Sequence, residues 1–401
     1  MTDSEVRGLS RRGVSRRSLL GGAAGVLIPF PGGAGTGLLE LRRDLHRHPE
    51  PPGQEARTAA VVARRLRLAG LDVTTGVGGH GVVGLLTGGR PGRRVAYRAD
   101  LDAVPPDDQI NGGPAPAHVC GHDLHTTIGV GVAEQLARRR DRLAGTVAFL
   151  FQPAEEALSG AAAMIDAGVL ELARPAEIHA LHCFAYPVGQ FHTMAGFGLP
   201  GQDRGSVTLT GADAPVRAQR LADAIGASTT VTQPATSADF ERFLRELTDP
   251  ATPLARFVFL RAAADGPVVR VAIRCWPASR HAEIRAEIGR LAQEHGPATV
   301  SFPGEPTPAM VCPEREGRQI QRCLRAQPLH AAIPFSGEDF ALFLDRLPGT
   351  YTLLGVRAPG ADVLTAYPHF GTFRPDERAI DHGVRAMTGW LSARTAYGRK
   401  P

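Results

Sequence analysis

Two residue types are nearly missing from this sequence. Lys400 is the sole lysine and Asn111 the sole asparagine among 401 residues, so arginine supplies almost all of the positive charge. The formal net charge is +5, but residues 1–17 alone hold five arginines against two acidic residues. The rest of the chain has no basic stripe interleaved with aromatic residues, which is the pattern typical of nucleic-acid binding. We therefore expect no nucleic-acid partner.

Cysteine and long apolar runs are also scarce. The chain has five cysteines, too few for a fold built on disulfides. No apolar run approaches the ~20 residues that a membrane-spanning helix needs. The 43% of hydrophobic residues is nevertheless ordinary for a folded protein and excludes extensive disorder. A chain of 401 residues is longer than one hydrophobic core usually supports, which predicts two domains.

Residues 1–35 are predicted to be a targeting segment. Residues 15–20 read SRRSLL and resemble a twin-arginine export signal, and residues 19–30 form a short apolar run diluted by glycine. This run is too short to cross a bilayer. We expect the protein to be exported or extracellular. The alternative is a basic tail without a signal function, which would leave the protein in the cytoplasm.

The hydrophobic periodicity alternates between helix and strand along most of the chain. Helical spacing occupies residues 38–70, 126–139, 159–169 and 377–394, and strand-like runs occupy 82–86, 94–98, 146–151 and 178–184. This alternation predicts a layered α/β domain with a largely parallel sheet. The pattern changes near residue 203 and returns near 311. We predict a discontinuous α/β domain at 36–202 and 311–395, with a smaller α+β domain inserted at 203–310.

The first candidate site is a short segment rich in metal-binding residue types. Residues 117–125 (AHVCGHDLH) contain three histidines, one cysteine and one aspartate directly before a predicted helix. Cys120 and His122, separated by one residue, can both turn toward one ion. A thiolate and an imidazole suit Zn²⁺, Mn²⁺ or Ni²⁺ better than Mg²⁺ or Ca²⁺. The alternative is a histidine-rich surface or helix-capping loop.

The second candidate site is a pair of adjacent carboxylates. Glu155 and Glu156 follow the buried strand pattern at 147–151, so they face desolvation and mutual repulsion unless a cation is present. One carboxylate can bind metal while its neighbour acts as base toward an activated water. The alternative is a pair of solvated carboxylates that cap the next helix.

Two further histidines complete a candidate ligand set. His182 ends the strand pattern at 178–182, and His369 lies in a loop after Pro368. Either histidine alone would more often be a hydrogen-bonded core or loop residue. The five candidate ligands taken together are Cys120, His122, Glu156, His182 and His369. Five ligands beside the potential base Glu155 fit a two-metal hydrolase better than a structural zinc site, which needs four ligands and no base.

These residues belong to a longer ordered series of motifs. The series comprises residues 41–50 (LRRDLHRHPE), 98–105 (RADLDAVP), 120–125 (CGHDLH), 151–156 (FQPAEE), His182, 337–340 (GEDF), His369, Phe373, Asp376 and Glu377. In this order the motifs resemble the di-metal carboxypeptidase and aminoacylase superfamily. They are most similar to its amidohydrolase branch, which includes hippurate hydrolases and auxin–amino-acid conjugate hydrolases.

The resemblance implies a fold, a reaction and roles for residues. It implies a catalytic α/β domain whose inserted lid also mediates homodimerisation, and hydrolysis of small N-acyl amino acids to a carboxylate and a free amino acid. Two divalent ions (Zn, Mn, Ni or Co) would be bound by the five candidate ligands above. Glu155 would be the general base, and Asp102 would support the ligands from behind.

The lid departs from the family pattern. Related lids carry a histidine that approaches the substrate across the dimer, but residues 210–215 read TGADAP here, and no histidine occurs between His192 and His281. The asparagine of the family lid is also missing. An arginine of the lid could replace these groups. Two alternatives also stay open: a metal-retaining homologue with little or no catalysis that acts as a binding protein, and a dipeptidase or carboxypeptidase of the same superfamily.

Overall fold

The computed structural model describes residues 36–396. The targeting segment predicted at residues 1–35 lies outside the described residues. Within the described part of the chain, no helix has both the length and the apolar character needed to cross a membrane.

Strands and helices alternate along most of the chain. The strands are β1 (Asp72–Val77), β2 (Gly81–Thr87), β3 (Arg90–Asp100), β4 (Ala144–Gln152), β5 (Ile178–Pro187), β6 (Phe191–Thr193), β7 (Gly198–Leu199), β8 (Gln202–Leu209), β9 (Phe257–Asp265), β10 (Val268–Trp276), β11 (Ala298–Ser301), β12 (Met310–Val311), β13 (Gln327–Pro328) and β14 (Gly349–Arg357). The helices are α1 (Thr36–Arg47), α2 (Ala56–Leu68), α3 (His122–Ala137), α4 (Gly160–Asp166), α5 (Val169–Ala173), α6 (Ala214–Ala227), α7 (Ser237–Thr248), α8 (His281–Glu294), α9 (Glu314–Leu324), α10 (Ala341–Leu344) and α11 (Ala379–Ala396).

The larger sheet has eight strands in the order β1-β2-β4-β3-β5-β14-β6-β13. Its central strands β4, β3, β5 and β14 run parallel, whereas β2 is antiparallel to both of its neighbours β1 and β4, and β6 is antiparallel to β14. Strand β4 is buried along almost its whole length because α3 and α11 pack against the sheet centre. The predicted layered α/β domain is confirmed. The carboxyl ends of β3, β4 and β5 lie side by side, which is where parallel sheets place functional side chains.

The smaller sheet forms the inserted lid. Its four antiparallel strands have the order β11-β8-β10-β9. Helices α6 and α8 cover one face and enclose a separate hydrophobic core, in which alternate residues of β10 such as Val269, Val271 and Ile273 are buried. The opposite face of the sheet carries mostly polar and small side chains, together with the aromatic rings of Phe257 and Phe259 on β9. An inserted α+β lid is therefore confirmed, while its bounds at 203 and 310 stay a prediction.

Helix α7 lies within the inserted segment but packs elsewhere. Its amphipathic spacing buries Phe240, Phe243 and Leu247, and these residues join the core of the larger domain, not that of the lid. The Tyr186 hydroxyl donates to the Leu244 carbonyl at 3.3 Å. The predicted lid segment 203–310 therefore includes one helix that packs into the core of the larger domain. Helical periodicity identifies a buried face but does not say which domain covers it.

Candidate metal centre

The metal-binding residue types meet at the carboxyl end of the large sheet. Cys120 and His122 flank Gly121 at the start of α3, and His182 lies in β5. The Cys120 Sγ lies 3.5 Å from His182 Nε2. Gly121 has a φ of +90°, and a Cβ at this position would lie 2.3 Å from Cys183 Sγ. Only glycine therefore allows the turn that aims Cys120 and His122 at one point.

Three histidines share one arrangement of their ring nitrogens. The Nδ1 of His122 donates to the Asp102 carbonyl at 3.0 Å, that of His182 to the Cys183 carbonyl at 2.7 Å, and that of His369 to the Asp108 carbonyl at 3.1 Å. A carbonyl oxygen only accepts, so each Nδ1 carries the proton. In the neutral ring each Nε2 then has a lone pair directed at the cluster, as in histidines that bind metals.

The donor atoms form two groups that share one thiol. Cys120 groups with His122 and His182, and also with Glu156 and His369, the donor atoms of each group lying within 4.8 Å of one another. The structure thus brings together all five predicted ligands. His122 Nε2 and Glu156 Oε1 are buried without a hydrogen-bond partner, a costly arrangement that a bound cation would resolve. A thiol, three imidazoles and a carboxylate suit two divalent transition-metal ions.

Burial acts strongly on the acidic groups of this cluster. Desolvation, followed by repulsion from Glu338 and Glu156, raises the pKa of Glu155 well above its usual range. Desolvation, followed by the charges of Glu156 and Glu155, likewise raises the pKa of the Cys120 thiol. Both groups need nearby positive charge to ionise, which is the condition that bound cations create.

Asp102 supports two candidate ligands at once. Its Oδ1 lies 3.2 Å from His122 Nδ1, and its Oδ2 accepts from the Glu156 backbone N–H at 2.9 Å. Asp102 therefore lies behind these two candidate ligands. The turn that carries Glu155 and Glu156 is unusual, since Ala154 has a φ of +50° just before it. Such left-handed non-glycine residues are strained and concentrate at functional sites.

A buried charge network beneath the cluster was missed at the level of sequence. The Arg98 guanidinium donates to Asp100 Oδ2 at 2.6 Å and to Glu338 Oε1 at 3.0 Å. His125 is held by both ring nitrogens, one on Asp100 at 2.7 Å and the other accepting from the Cys183 N–H at 2.9 Å, so it is not free to bind metal. The sequence feature that could have revealed this network is the pair of motifs at residues 98–105 and 337–340, which contain Arg98, Asp100 and Glu338.

A chamber of about 360 Å³ opens above the candidate ligands. The larger domain contributes Glu155, every candidate ligand except His122, and apolar side chains such as Phe184 and Tyr367. The lid contributes Gln202 and three arginines, Arg204, Arg261 and Arg274. A volume of this size suits a small molecule with one apolar and one charged part.

The fold and this donor set define a metal-dependent hydrolase, and comparison with known proteins places it in a family. The sequence profile of peptidase family M20/M25/M40 matches residues 96–393, and the chain belongs to that family. The protein called "Probable hydrolase sll0100" from Synechocystis sp. is 31% identical over 88% of this chain and 94% of its own length. N-acetylcysteine deacetylase from Bacillus subtilis is 29% identical over 86% of this chain and 93% of its own length.

The solved structures agree with the sequence comparison. The B. subtilis protein YXEP, described as a dinuclear metal-binding peptidase of the M20 family, superposes with a TM-score of 0.69. It is 25% identical in sequence, and the match covers 89% of this chain and 97% of that one. The chain is accordingly an enzyme that hydrolyses carbon–nitrogen (amide) bonds with the help of metal ions.

Proposed function

We propose that this enzyme hydrolyses N-acyl amino acids at a two-metal centre. The ligands would be Cys120, His122, Glu156, His182 and His369, with Zn, Mn, Ni or Co as the ions. The observation that carries the proposal is the shared tautomer of the three histidines, each with its Nε2 lone pair directed at the cluster. N-acetylcysteine deacetylase and an IAA-amino acid hydrolase of Arabidopsis thaliana, 28% identical over 86% of this chain, support the substrate class.

Glu155 is the proposed general base. Bound divalent ions would lower the pKa of a water molecule and polarise the amide carbonyl. Glu155 lies beside Glu156, with Oε2 3.7 Å from His122 Nε2. Its carboxylate receives the proton of the attacking water and then delivers it to the departing amine nitrogen. Asp102 keeps His122 and Glu156 oriented throughout, since it contacts both.

The substitution Glu155→Gln tests this assignment. It removes the base but keeps the shape, so we expect two bound ions per chain and a turnover reduced by about 10²- to 10⁴-fold. Metal content is measured by elemental analysis, and turnover with a panel of N-acyl amino acids, dipeptides and blocked peptides. The exposed Glu171→Gln is the matched control and should behave as wild type. Parental turnover of Glu155→Gln would exclude Glu155 as the base.

The same panel separates the proposed function from its alternatives. Preferred cleavage of dipeptides or blocked peptides would indicate a dipeptidase or carboxypeptidase. Two bound ions without turnover on any compound would indicate a binding protein that retains the metal centre. A homodimer through the inserted lid remains a proposal alongside these.

We also propose that the protein is exported. The support is the twin-arginine pattern at residues 15–20. Replacement of Arg16 and Arg17 by lysine should retain the protein in the cytoplasm of a host with a twin-arginine pathway, as measured by cell fractionation. Unchanged distribution of this variant would contradict an export role for the two arginines.

A further inference from the structure

Three arginines meet on the open face of the lid sheet. Ala272 of β10 pairs with Arg204 on β8 and with Arg261 on β9. Arg274 lies two residues further along β10, between Gln202 and Phe259. Because paired residues and residues two apart on a strand share a face, all three arginine side chains project from the same side. That side faces the metal centre, since all three line its chamber.

None of these three arginines has an acidic partner. Among residues 36–396, no carboxylate oxygen lies within 4.0 Å of their guanidinium nitrogens. Arg261 donates to the neutral Gln233 Oε1 at 2.8 Å, and Arg274 donates to the Phe335 carbonyl at 2.7 Å and to Gln202 Oε1 at 3.0 Å. Arg274 Nε is buried without any partner.

Two other arginines of the lid are paired with carboxylates. Arg270 lies on the same open face and donates to Asp265 at 3.0 Å, and Arg285 holds Asp203 through two hydrogen bonds. The lid therefore supplies carboxylates to these two arginines, which lie outside the chamber, but not to the three that line it. Asp107 and Asp108 also line the chamber, yet neither pairs with an arginine of the described chain.

The unpaired cations also repel one another. Burial, together with the charges of Arg261 and Arg204, lowers the pKa of Arg274 to about 10. An anion bound between the cations would relieve this repulsion, mainly at the half-buried Arg274, since Arg204 and Arg261 are exposed to solvent. Guanidinium groups bind carboxylates strongly because two parallel N–H donors match the two oxygens.

We propose that the chamber binds a substrate with two carboxylates, an inference that rests on the proposed hydrolysis of N-acyl amino acids. One carboxylate is the α-carboxylate of the amino acid. A second carboxylate is inferred because one carboxylate pairs bidentately with a single guanidinium group, and three such groups lie here without a carboxylate within 4.0 Å. Arg204 and Arg261, on either side of Ala272, form the second anion site. The second carboxylate belongs either to the amino-acid side chain or to a dicarboxylic acyl group.

Matched substrates distinguish these two sources. N-acetylglutamate is compared with N-acetylglutamine, and N-succinylalanine with N-succinamoylalanine, since each pair differs only by a carboxylate and its neutral amide. We expect one dianion to exceed its amide in kcat/KM by about 10- to 100-fold, as expected for a charge-assisted hydrogen bond. A preference in the first pair assigns the second carboxylate to the amino acid, and one in the second pair assigns it to the acyl group.

Substitutions of Arg204 and Arg261 test whether these residues cause the preference for the dianion. Arg204→Gln and Arg261→Gln should each reduce the ratio of kcat/KM between dianion and amide by about tenfold, mainly through KM of the dianion. Arg270→Gln, on the same sheet face but paired with Asp265, is the control and should keep the wild-type ratio. Thermal unfolding shows whether each variant folds.

Two results would overturn the proposal. The first is wild-type enzyme that hydrolyses both amides as fast as their dianions. The second is a pair of folded variants whose ratio equals that of wild type. Both results differ from failure of the proposed function itself, in which neither the dianions nor their amides are hydrolysed although two metal ions are bound.

Discussion

At the scale of single residues, the candidate site combines neighbours in the sequence with residues that meet only in the fold. Cys120 and His122 are one residue apart, and Glu155 and Glu156 are adjacent. The charged residues beneath them come from distant parts of the chain. Arg98 contacts Glu338, which is 240 residues away in the chain. Such a contact is created only when β3 and the loop before α10 are brought together, so no local pattern reports it.

Asp102 gives a test at this scale. Asp102→Asn keeps the size of the side chain but removes its charge and one of the two acceptor oxygens that face His122 Nδ1 and the Glu156 N–H. We expect metal affinity to fall by about 10- to 100-fold, as for other residues that orient metal ligands. Competition with a chromophoric chelator measures the affinity.

The control for this test is Asp166→Asn. Asp166 is exposed at the end of α4 and should leave metal affinity unchanged. An Asp102→Asn protein with wild-type metal affinity would show that Asp102 does not support the ligands.

At the scale of elements, the sequence predicts whether a segment is a helix or a strand better than it predicts which core that segment packs against. The spacing of apolar residues correctly indicated helices and strands, and the strand β10 shows the expected alternation of buried and half-buried residues. Helix α7 shows the limit. Its phenylalanines pack against the larger domain, as in the 4.4 Å contact between the rings of Phe240 and Tyr367. Only tertiary structure decides which of two available cores an amphipathic helix joins.

A buried ion pair connects the sheet to the final helix. Glu177, directly before β5, accepts hydrogen bonds from both Arg394 Nε, at 2.6 Å, and Arg394 Nη2. Burial alone would raise the pKa of Glu177, but contacts with His179 and Arg394 lower this pKa to about 2. Removing one member of a buried pair costs about 3–5 kcal/mol, so Glu177→Gln should reduce the free energy of unfolding by that amount at neutral pH.

The pH dependence of this loss in unfolding free energy follows from the lowered pKa of Glu177. A carboxyl group whose pKa is lower in the folded state stabilises the protein above its unfolded pKa and loses that contribution as the pH falls toward the folded value. The difference in unfolding free energy between wild type and Glu177→Gln should therefore shrink between about pH 5 and pH 2. Urea unfolding at several pH values measures it. A difference that is constant with pH would show that the ion pair is not its source.

At the scale of the whole molecule, the lid raises the question of whether one chain forms a complete active site or needs a second copy. The resemblance implies a lid that dimerises and provides a histidine to its partner, but this lid has no such histidine. Its edge strand β9 is also partly covered. The Val258 N–H donates to the Thr230 hydroxyl at 2.8 Å, and the Leu260 N–H donates to the Thr229 hydroxyl at 2.9 Å. A second copy cannot pair with β9 along this stretch without displacing both threonines.

We therefore predict that turnover per chain is independent of protein concentration. The chamber already has cationic groups from its own lid, so dissociation of any dimer by dilution should leave kcat and KM unchanged. Activity is measured from micromolar to low nanomolar enzyme, while mass photometry records the oligomeric state over the same range. A specific activity that falls as dimers dissociate would mean that a second chain completes the site. Constant activity in a range where dimers demonstrably dissociate would mean that one chain supplies the complete active site.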